Sequence, residues 1–218
     1  MPIKVDQIDD GLPISVIVPL DKKRRNFFEN FVLPLIEANE PNEIIINDDV
    51  ASAPKKRNAG FKKSTQPYIF FCDDDIILPA NYLQELYSTL TKNESRTDVK
   101  IGYAYTGYHG IVLHPQSHPM RGNFQIPSKP FDGNSLRQAN YISTMTLIKR
   151  EYFPMFDEKL KRFQDWDIFL TMYQNGIQGV FIKNLKFFAY YLDEGITTKN
   201  NNQQEAYNIL ARKHGLRQ

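Results

Sequence analysis

Cysteine is nearly absent from this sequence, which has 218 residues and a single cysteine, Cys72. One cysteine excludes an intrachain disulfide and fits a reducing compartment. The first residues, MPIKVDQIDDGLP, are polar and acidic, unlike the apolar core of a secretory signal. No apolar run approaches the roughly 20 residues that a membrane span requires. We therefore expect a cytoplasmic protein with at most peripheral membrane contact.

An excess of charge of one sign is also missing, since the formal net charge is +2. So small a charge does not indicate a nucleic-acid partner. The basic residues also lack the interleaved aromatic residues of a single-strand-binding surface. Hydrophobic residues make up 41% and charged residues 24%, as in ordinary globular proteins. The length allows one sizeable globular domain or two small ones, and we expect no binding to nucleic acid.

Short apolar runs alternate with helical patterns over the first half of the chain. The runs ISVIVPL, NEIIINDD and QPYIFFCDDD predict buried strands. The segments KKRRNFFENFVLPLIEANE, KKRNAGFKKST and PANYLQELYSTLTK follow them in turn and predict helices. This order predicts an α/β fold with a mostly parallel central sheet flanked by helices.

After Lys100 the sequence changes character. The next stretch is rich in Gly, Pro and His and predicts only brief strands, with a mobile lid from Tyr108 to Arg137. Farther on, NYISTMTLIKREYF predicts a strand leading into a helix, DWDIFLTMYQNG a helix that stops at Gly176, and VFIKNLKFFAYYL a strand. The tail from Asp193 is polar and ends in a helical pattern, NQQEAYNILARKHG.

Acidic residues directly follow two of the predicted strands. Asp48 and Asp49 end the second, and Asp73, Asp74 and Asp75 end the third. In parallel sheets, ligands bind where the carboxyl ends of the strands meet. Clustered carboxylates are ligands for Mg²⁺ or Mn²⁺, and an ion bound by them can also coordinate the phosphates of a diphosphate. The alternative is a solvated acidic turn in which Asp75 caps the following helix.

The ordered set SVIVPL, IIINDD, KRNAGFKKS, YIFFCDDDIILP, NYISTMTLIKR and FQDWDIFLTMYQNG resembles family 2 glycosyltransferases of the GT-A fold. The resemblance extends from about Ile14 to about Thr198. It implies a single domain with a nucleotide-binding half, at about residues 14–100, and an acceptor and catalytic half, at about 101–198, before the polar tail. It implies a metal-dependent, inverting transferase of the hexosyltransferase type. The donor would be a UDP- or GDP-type nucleotide-diphosphate sugar, and the acceptor a hydroxyl of a carbohydrate or glycolipid.

The resemblance also implies roles for residues of the nucleotide site. Asp49, with Asp48 beside it, would meet the base of the donor. Lys56 and Arg57 would approach the nucleotide or its phosphates, and Pro19 would lie at the same site.

Further roles concern the metal and the chemistry. Asp73 would meet the ribose, while Asp74 or Asp75 would reach a Mn²⁺ or Mg²⁺ ion, and the run of three leaves that register open. Asp165 in FQDWDI matches the catalytic base, which takes the proton of the attacking hydroxyl. The alternative for Asp165 is the N-cap of the helix that follows.

The sequence departs from the family pattern at two places. Gln164 stands where the family more often has a glutamate, which removes a negative charge beside Asp165. Asp193, followed by Glu194, stands where many relatives carry a histidine metal ligand, and an aspartate could replace it. The histidines of HGIVLHPQSH lack a cysteine partner and are interrupted by prolines, so they favour a loop over a zinc site.

Two other functional classes share these features. A nucleotidyltransferase that makes nucleotide-sugars would have the same layout, but it is expected to carry a glycine-rich phosphate loop, and VPLDKKRRN contains no glycine. A non-catalytic nucleotide-sugar-binding module could also retain the fold.

Overall fold

The computed structural model describes residues 4–7, 10–94, 98–112, 123–191 and 203–216. Its strands are β1 (Lys4–Gln7), β2 (Leu12–Pro19), β3 (Pro41–Asn47), β4 (Tyr68–Phe71), β5 (Ile76–Ile77), β6 (Lys100–Val112), β7 (Phe124–Ile126), β8 (Leu147–Lys149) and β9 (Ile177–Tyr191). Its α-helices are α1 (Arg25–Phe27), α2 (Leu33–Glu37), α3 (Ala53–Lys63), α4 (Tyr82–Glu94), α5 (Gly133–Gln138), α6 (Gln164–Gln174) and α7 (Gln203–His214). The elements predicted on either side of the acidic clusters are thus present.

The described strands form one sheet in the order β1-β3-β2-β4-β8-β6-β9-β5, with β7 paired to β6. Strand β2 lies parallel to both β3 and β4, and β6 lies parallel to β9. The remaining pairs are antiparallel. The α/β class is confirmed, but the sheet is mixed rather than mostly parallel, because the chain beyond residue 100 returns antiparallel beside β4 through β8.

Helices cover both faces of this sheet. One apolar cluster contains Phe28 and Ile36 from the first helical segment and Leu86 from α4. The other contains Ile168 from α6 and Leu210 from α7. The predicted helix in the polar tail therefore exists, and its apolar side is part of the core. None of the described helices is long and apolar enough to cross a membrane.

The helical segment after β2 is irregular. It begins with a 3₁₀ turn at Lys22–Arg24, continues through α1, and widens into a π turn at Phe28–Val32 before α2. Pro34 lies at the start of α2. Since proline has no N–H, a continuous α-helix through this point would lose a hydrogen bond, and the π turn accommodates the break.

The prediction of only brief strands after Lys100 is wrong. Strand β6 is continuous over 13 residues, and its Tyr103 and Tyr105 side chains are fully buried. Glycines in this stretch lowered its apparent strand propensity, whereas burial on both faces of the sheet favours the extended chain. The proposed lid includes the regular elements β7 and α5, and residues 113–122, with His114 and His118, lie outside the described residues.

Close packing of α3 on the sheet places its basic residues beneath the strand ends. A Cβ atom on Gly60 would lie 2.5 Å from Cγ2 of Ile17 in β2, so the helix approaches the strand closely only because this residue is glycine. As a result, Lys56 and Arg57 are buried near the carboxyl ends of β2 and β4.

Candidate active site

Arginines neutralise the acidic run at the end of β4. Arg57 Nη2 donates to Asp73 Oδ1 at 2.5 Å. Arg24 donates to two carboxylates, from Nη2 to Asp74 Oδ1 at 3.0 Å and from Nη1 to Asp75 Oδ2 at 2.6 Å. Each of the three adjacent carboxylates therefore has a cationic partner.

Asp74 is the most deeply placed of the three, with a side chain 2% exposed. Its other oxygen accepts from the backbone N–H of Asp21 at 2.7 Å. Burial raises the pKa of both Asp74 and Asp75, and neighbouring carboxylates raise it further. Arg24 lowers both pKa values but does not outweigh burial. Asp74 and Asp75 thus form an electrostatically costly pair that favours a cation.

The fit of Mg²⁺ or Mn²⁺ can be judged from these contacts. Asp74 and Asp75 converge on a single cationic group, and magnesium requires only one or two protein carboxylates. Among the described residues, no cluster of three or more His, Cys, Asp or Glu side chains is arranged to hold a metal ion. The donor chemistry of Asp74 and Asp75 fits these ions, provided that the cation takes the place of Arg24. Asp193 and Glu194 lie outside the described residues.

The residues assigned to the nucleotide are spread around the ends of β2 and β3. Asp48 pairs with Arg25, and Asp49 is exposed. Pro19 ends β2 opposite Asn47 of β3. Lys56 is buried, and its Nζ donates to the carbonyl oxygen of Leu20 at 2.6 Å. In this arrangement, Lys56 braces the loop after β2.

Asp165 lies in the first turn of α6 and is not its N-cap. The helix begins at Gln164, and the cap position belongs to Phe163, which has a left-handed φ of 60°. Asp165 Oδ1 accepts from the backbone N–H of Trp166 at 2.9 Å, and Oδ2 accepts from Asn140 Nδ2 at 2.8 Å. The capping alternative for Asp165 is therefore wrong, and the carboxylate is instead oriented by two donors.

The Asp165 carboxylate lines a cavity of about 140 Å³. The cavity is formed by the middle of β6, the end of β7 and the loop after α5, and its walls carry hydroxyl, amide and aromatic groups. Its lining residues are Thr106, Gly107, Tyr108, Ile126, Pro127, Ser128, Asn140, Tyr141, Ile142, Ser143 and Asp165. Uncharged hydrogen-bonding groups beside aromatic faces are suited to a polar, uncharged ring with hydroxyl groups.

Burial raises the pKa of Asp165 above the ordinary aspartate range. The Trp166 N–H, the charge of Arg57 and the hydrogen bond from Asn140 each stabilise the ionised form and limit the rise. A raised pKa makes a carboxylate a stronger proton acceptor, which suits a general base.

Arg57 connects the acidic run to the Asp165 helix. Its Nη1 donates to Gln164 Oε1 at 3.0 Å while its Nη2 holds Asp73. Its guanidinium also lies over the ring of Phe156, 5.3 Å from the centroid. The two halves predicted from the sequence therefore meet at one buried side chain.

Arg24 and Asn140 were missed as site residues from the sequence. Arg24 lies in the basic run KKRRN, shortly after β2, and the acidic run DDD follows the neighbouring strand β4. Two runs of opposite charge after neighbouring strands were the signal available in the sequence. Asn140 had no such signal, because it reaches Asp165 across 25 residues through the path of the loop after α5.

The comparisons with known proteins agree with this fold. A family model described as Glycosyl transferase family 2 matches residues 53–154, less than half of the chain. The chain is similar to three crystal structures of S. aureus TarS 1–349: the protein alone (14% identity, TM-score 0.60), its complex with UDP-GlcNAc (14%, 0.63) and its complex with UDP (15%, 0.59). No curated protein sequence matches the chain.

The TarS structures cover 93% of this chain, which in turn spans 65%, 66% and 65% of their lengths, less than two thirds in each case. The family match and these structures confirm the expected resemblance to a family 2 glycosyltransferase with the GT-A fold. At this level of identity, the structural likeness shows the fold alone.

Proposed function

We propose that this chain transfers a sugar from a nucleotide-diphosphate sugar to a hydroxyl group of a carbohydrate or glycolipid, with Asp165 as the general base. The observation that carries the proposal is the Asp165 carboxylate, which is oriented by Asn140 and lines a cavity with uncharged polar and aromatic walls. The UDP and UDP-GlcNAc in the TarS structures make UDP-sugars the first donors to test. A cytoplasmic location is proposed from the single cysteine.

The reaction is a single displacement. The acceptor oxygen attacks the anomeric carbon, the bond from that carbon to the diphosphate breaks, and the nucleoside diphosphate leaves with the bonding electrons. Asp165 takes the hydroxyl proton as the new bond forms. Attack on the face opposite the leaving group inverts the anomeric centre.

Other residues have supporting roles in this proposal. Arg57 lies between Asp73 and the Asp165 helix, where its charge favours a bound diphosphate. Asp48 and Asp49 are proposed to meet the base, Asp73 the ribose, and Pro19 to border the nucleotide. Mn²⁺ or Mg²⁺ bound by Asp74 and Asp75 would stabilise negative charge on the departing diphosphate.

Replacing the proposed base tests this function. Asp165→Asn retains the size of the side chain and removes its basicity, so UDP release from UDP-GlcNAc should slow by roughly 10²–10⁴-fold. UDP affinity and melting temperature should change little. Glu151→Gln is the matched acid-to-amide control, because this carboxylate is 63% exposed. The acceptors are a panel of sugar glycosides and water, and the donor panel extends to other UDP- and GDP-sugars.

Three results of this experiment would contradict the proposed function. Near-normal turnover by Asp165→Asn would place the base elsewhere, and lost UDP binding would reassign Asp165 to the nucleotide site. A wild-type protein that binds donors but releases no nucleotide from any of them would be a binding module.

A further inference from the structure

The C-terminal helix α7 holds a buried carboxylate on the Asp165 helix. His214 Nε2 lies 2.7 Å from Asp167 Oδ1, and Lys213 Nζ lies 2.8 Å from Asp167 Oδ2. Asp167 and His214 are only 1% and 3% exposed. Both oxygens of a carboxylate two residues from Asp165 are therefore occupied by adjacent residues of α7.

The contact extends along α6. His214 Nδ1 lies 3.0 Å from Oε1 of Gln174, the last residue of that helix. Both ring nitrogens thus lie within hydrogen-bond distance of oxygens of α6. Because His214 contacts α6 at Asp167 and again two turns later, it restricts rotation of α6 about its axis.

Helix α5 completes the arrangement. Arg137 of α5 donates to the carbonyl oxygens of His214 at 3.3 Å and Gly215 at 2.7 Å. Trp166 Nε1 donates to the carbonyl oxygen of Leu136 at 2.6 Å. The loop after α5 supplies Asn140, the donor to Asp165. Helix α7 therefore contacts both α6, which carries Asp165, and α5, which precedes the Asn140 loop.

Electrostatics favour the paired arrangement. Burial alone would raise the pKa of Asp167, and the hydrogen bonds and charges of His214 and Lys213 outweigh it and lower that pKa. Lys213 also lies 3.5 Å from Asp157. Apolar contacts of Leu210 and Ala211 bury the helix, but they are not directional. The Lys213 ion pair and the His214 contact on Asp167 are directional and fix orientation, which a general base requires.

We infer that His214 and Lys213 are positioning residues for the transfer reaction: through Asp167 they orient α6 so that the Asp165 carboxylate points into its cavity. This inference rests on the proposed role of Asp165.

The test compares two variants of α7. His214→Gln removes the buried imidazole that contacts Asp167 and Gln174, whereas Leu210→Ala removes apolar packing from the same helix and no polar group. Melting temperature, UDP affinity, kcat for UDP release from UDP-GlcNAc and the pH dependence of kcat are measured for each, well below its melting temperature. We expect His214→Gln to lower kcat about 10-fold or more with UDP affinity unchanged within about two-fold. Leu210→Ala should lower the melting temperature and leave kcat unchanged.

Lys213→Met is a second variant in case His214→Gln does not fold, since Lys213 is 39% exposed and its loss changes packing less. It should lower kcat in the same direction, and Arg212→Ala, an exposed residue of the same turn, should not. The inference is overturned if His214→Gln has wild-type kcat. It is also overturned if its loss of kcat matches that of Leu210→Ala at equal loss of stability.

An activity-independent measurement separates this inference from the proposed function. Trp166 is the one tryptophan of the chain and lies between Asp165 and Asp167. Its fluorescence is titrated with pH, with Asp165→Asn as the blank that lacks the Asp165 transition. In His214→Gln the midpoint of that transition should shift, and in Leu210→Ala it should not. If the wild-type protein releases no UDP but His214→Gln shifts the Asp165 midpoint, the proposed function fails while the positioning of Asp165 by α7 holds. If His214→Gln leaves the midpoint unshifted, the positioning of Asp165 by α7 is overturned.

Discussion

Arg57 and Gln164 are 107 residues apart in sequence, and the Nη1 of the arginine donates to the Oε1 of the glutamine at 3.0 Å. The contact joins α3, which lies between β3 and β4 in the chain, to the helix that carries Asp165. Gln164 also donates from Nε2 to the carbonyl oxygen of Leu160 at 3.0 Å, so its amide is held at both ends. A glutamate at this position would lack that donor and would add a negative charge beside Asp165.

The first prediction concerns the pH dependence of the reaction. A base acts only when ionised, so the rate falls as pH decreases through the pKa of Asp165. Because burial raises that pKa, the midpoint of the acid limb of kcat/KM should lie above the usual aspartate value of about 3.9. Asn140→Ala removes a hydrogen bond to the ionised form, and Gln164→Glu adds a like charge, so each should move the limb to higher pH.

Rates of the wild type, both variants and Glu151→Gln measured across pH check this prediction. The Glu151→Gln profile should overlay the wild type. An acid limb that stays in place in both Asn140→Ala and Gln164→Glu would show that the limb does not report Asp165.

The second prediction concerns Arg24. Arg24→Met leaves Asp74 and Asp75 without their shared cation, so the metal-free protein should lose about 1–3 kcal/mol, between the values for exposed and buried pairs. Mn²⁺ should then raise the melting temperature of Arg24→Met more than that of the wild type, because it no longer competes with the guanidinium. Melting curves in Mn²⁺ and in EDTA measure both effects.

Arg25→Met is the matched control for Arg24→Met, since Arg25 pairs with Asp48 and with Glu29 at 2.8 Å, away from Asp74. It should respond to Mn²⁺ like the wild type, while Asp74→Asn combined with Asp75→Asn should not respond. Equal Mn²⁺ shifts in Arg24→Met and wild type would argue against a cation site at these two acids.

The third prediction concerns the packing that supports Arg57. Gly60→Ala would bring a Cβ to 2.5 Å from Ile17 Cγ2, and such overpacking should cost about 1–3 kcal/mol. The outward shift of α3 should also weaken UDP binding, because Arg57 lies on the same helix. Urea unfolding and UDP titration measure the two effects.

Gly176→Ala provides the comparison for Gly60→Ala. Gly176 has a φ of +76°, and a Cβ added there would meet nothing within 4 Å, so alanine strains only the backbone, by about 1 kcal/mol. It should leave UDP affinity unchanged. If Gly60→Ala is as stable as the wild type, the packing of α3 against β2 does not require glycine at position 60.

The sequence by itself determined β2, β3, β4, α3 and α4, since each is a short run of strong local pattern: β-branched residues for β2 and β3, and apolar spacing for α4. It did not predict the short strands β1 and β5. The sequence also placed the acids at the ends of β3 and β4 and Asp165 in the first turn of α6, because the end of an element is encoded locally. Ile168, Phe169 and Met172 of the predicted helix DWDIFLTMYQNG are buried.

Only the tertiary structure decided which polar side chains meet. The contacts of Arg24 with Asp74, Arg57 with Gln164, and His214 with Asp167 join residues that are distant in sequence. Strand β6 was misjudged for a related reason, since its glycine-rich sequence is held extended by β8 and β9 on either side. Local patterns specify backbone conformation within one element, whereas ion pairing and burial depend on how distant elements pack, and that packing is a property of the whole chain.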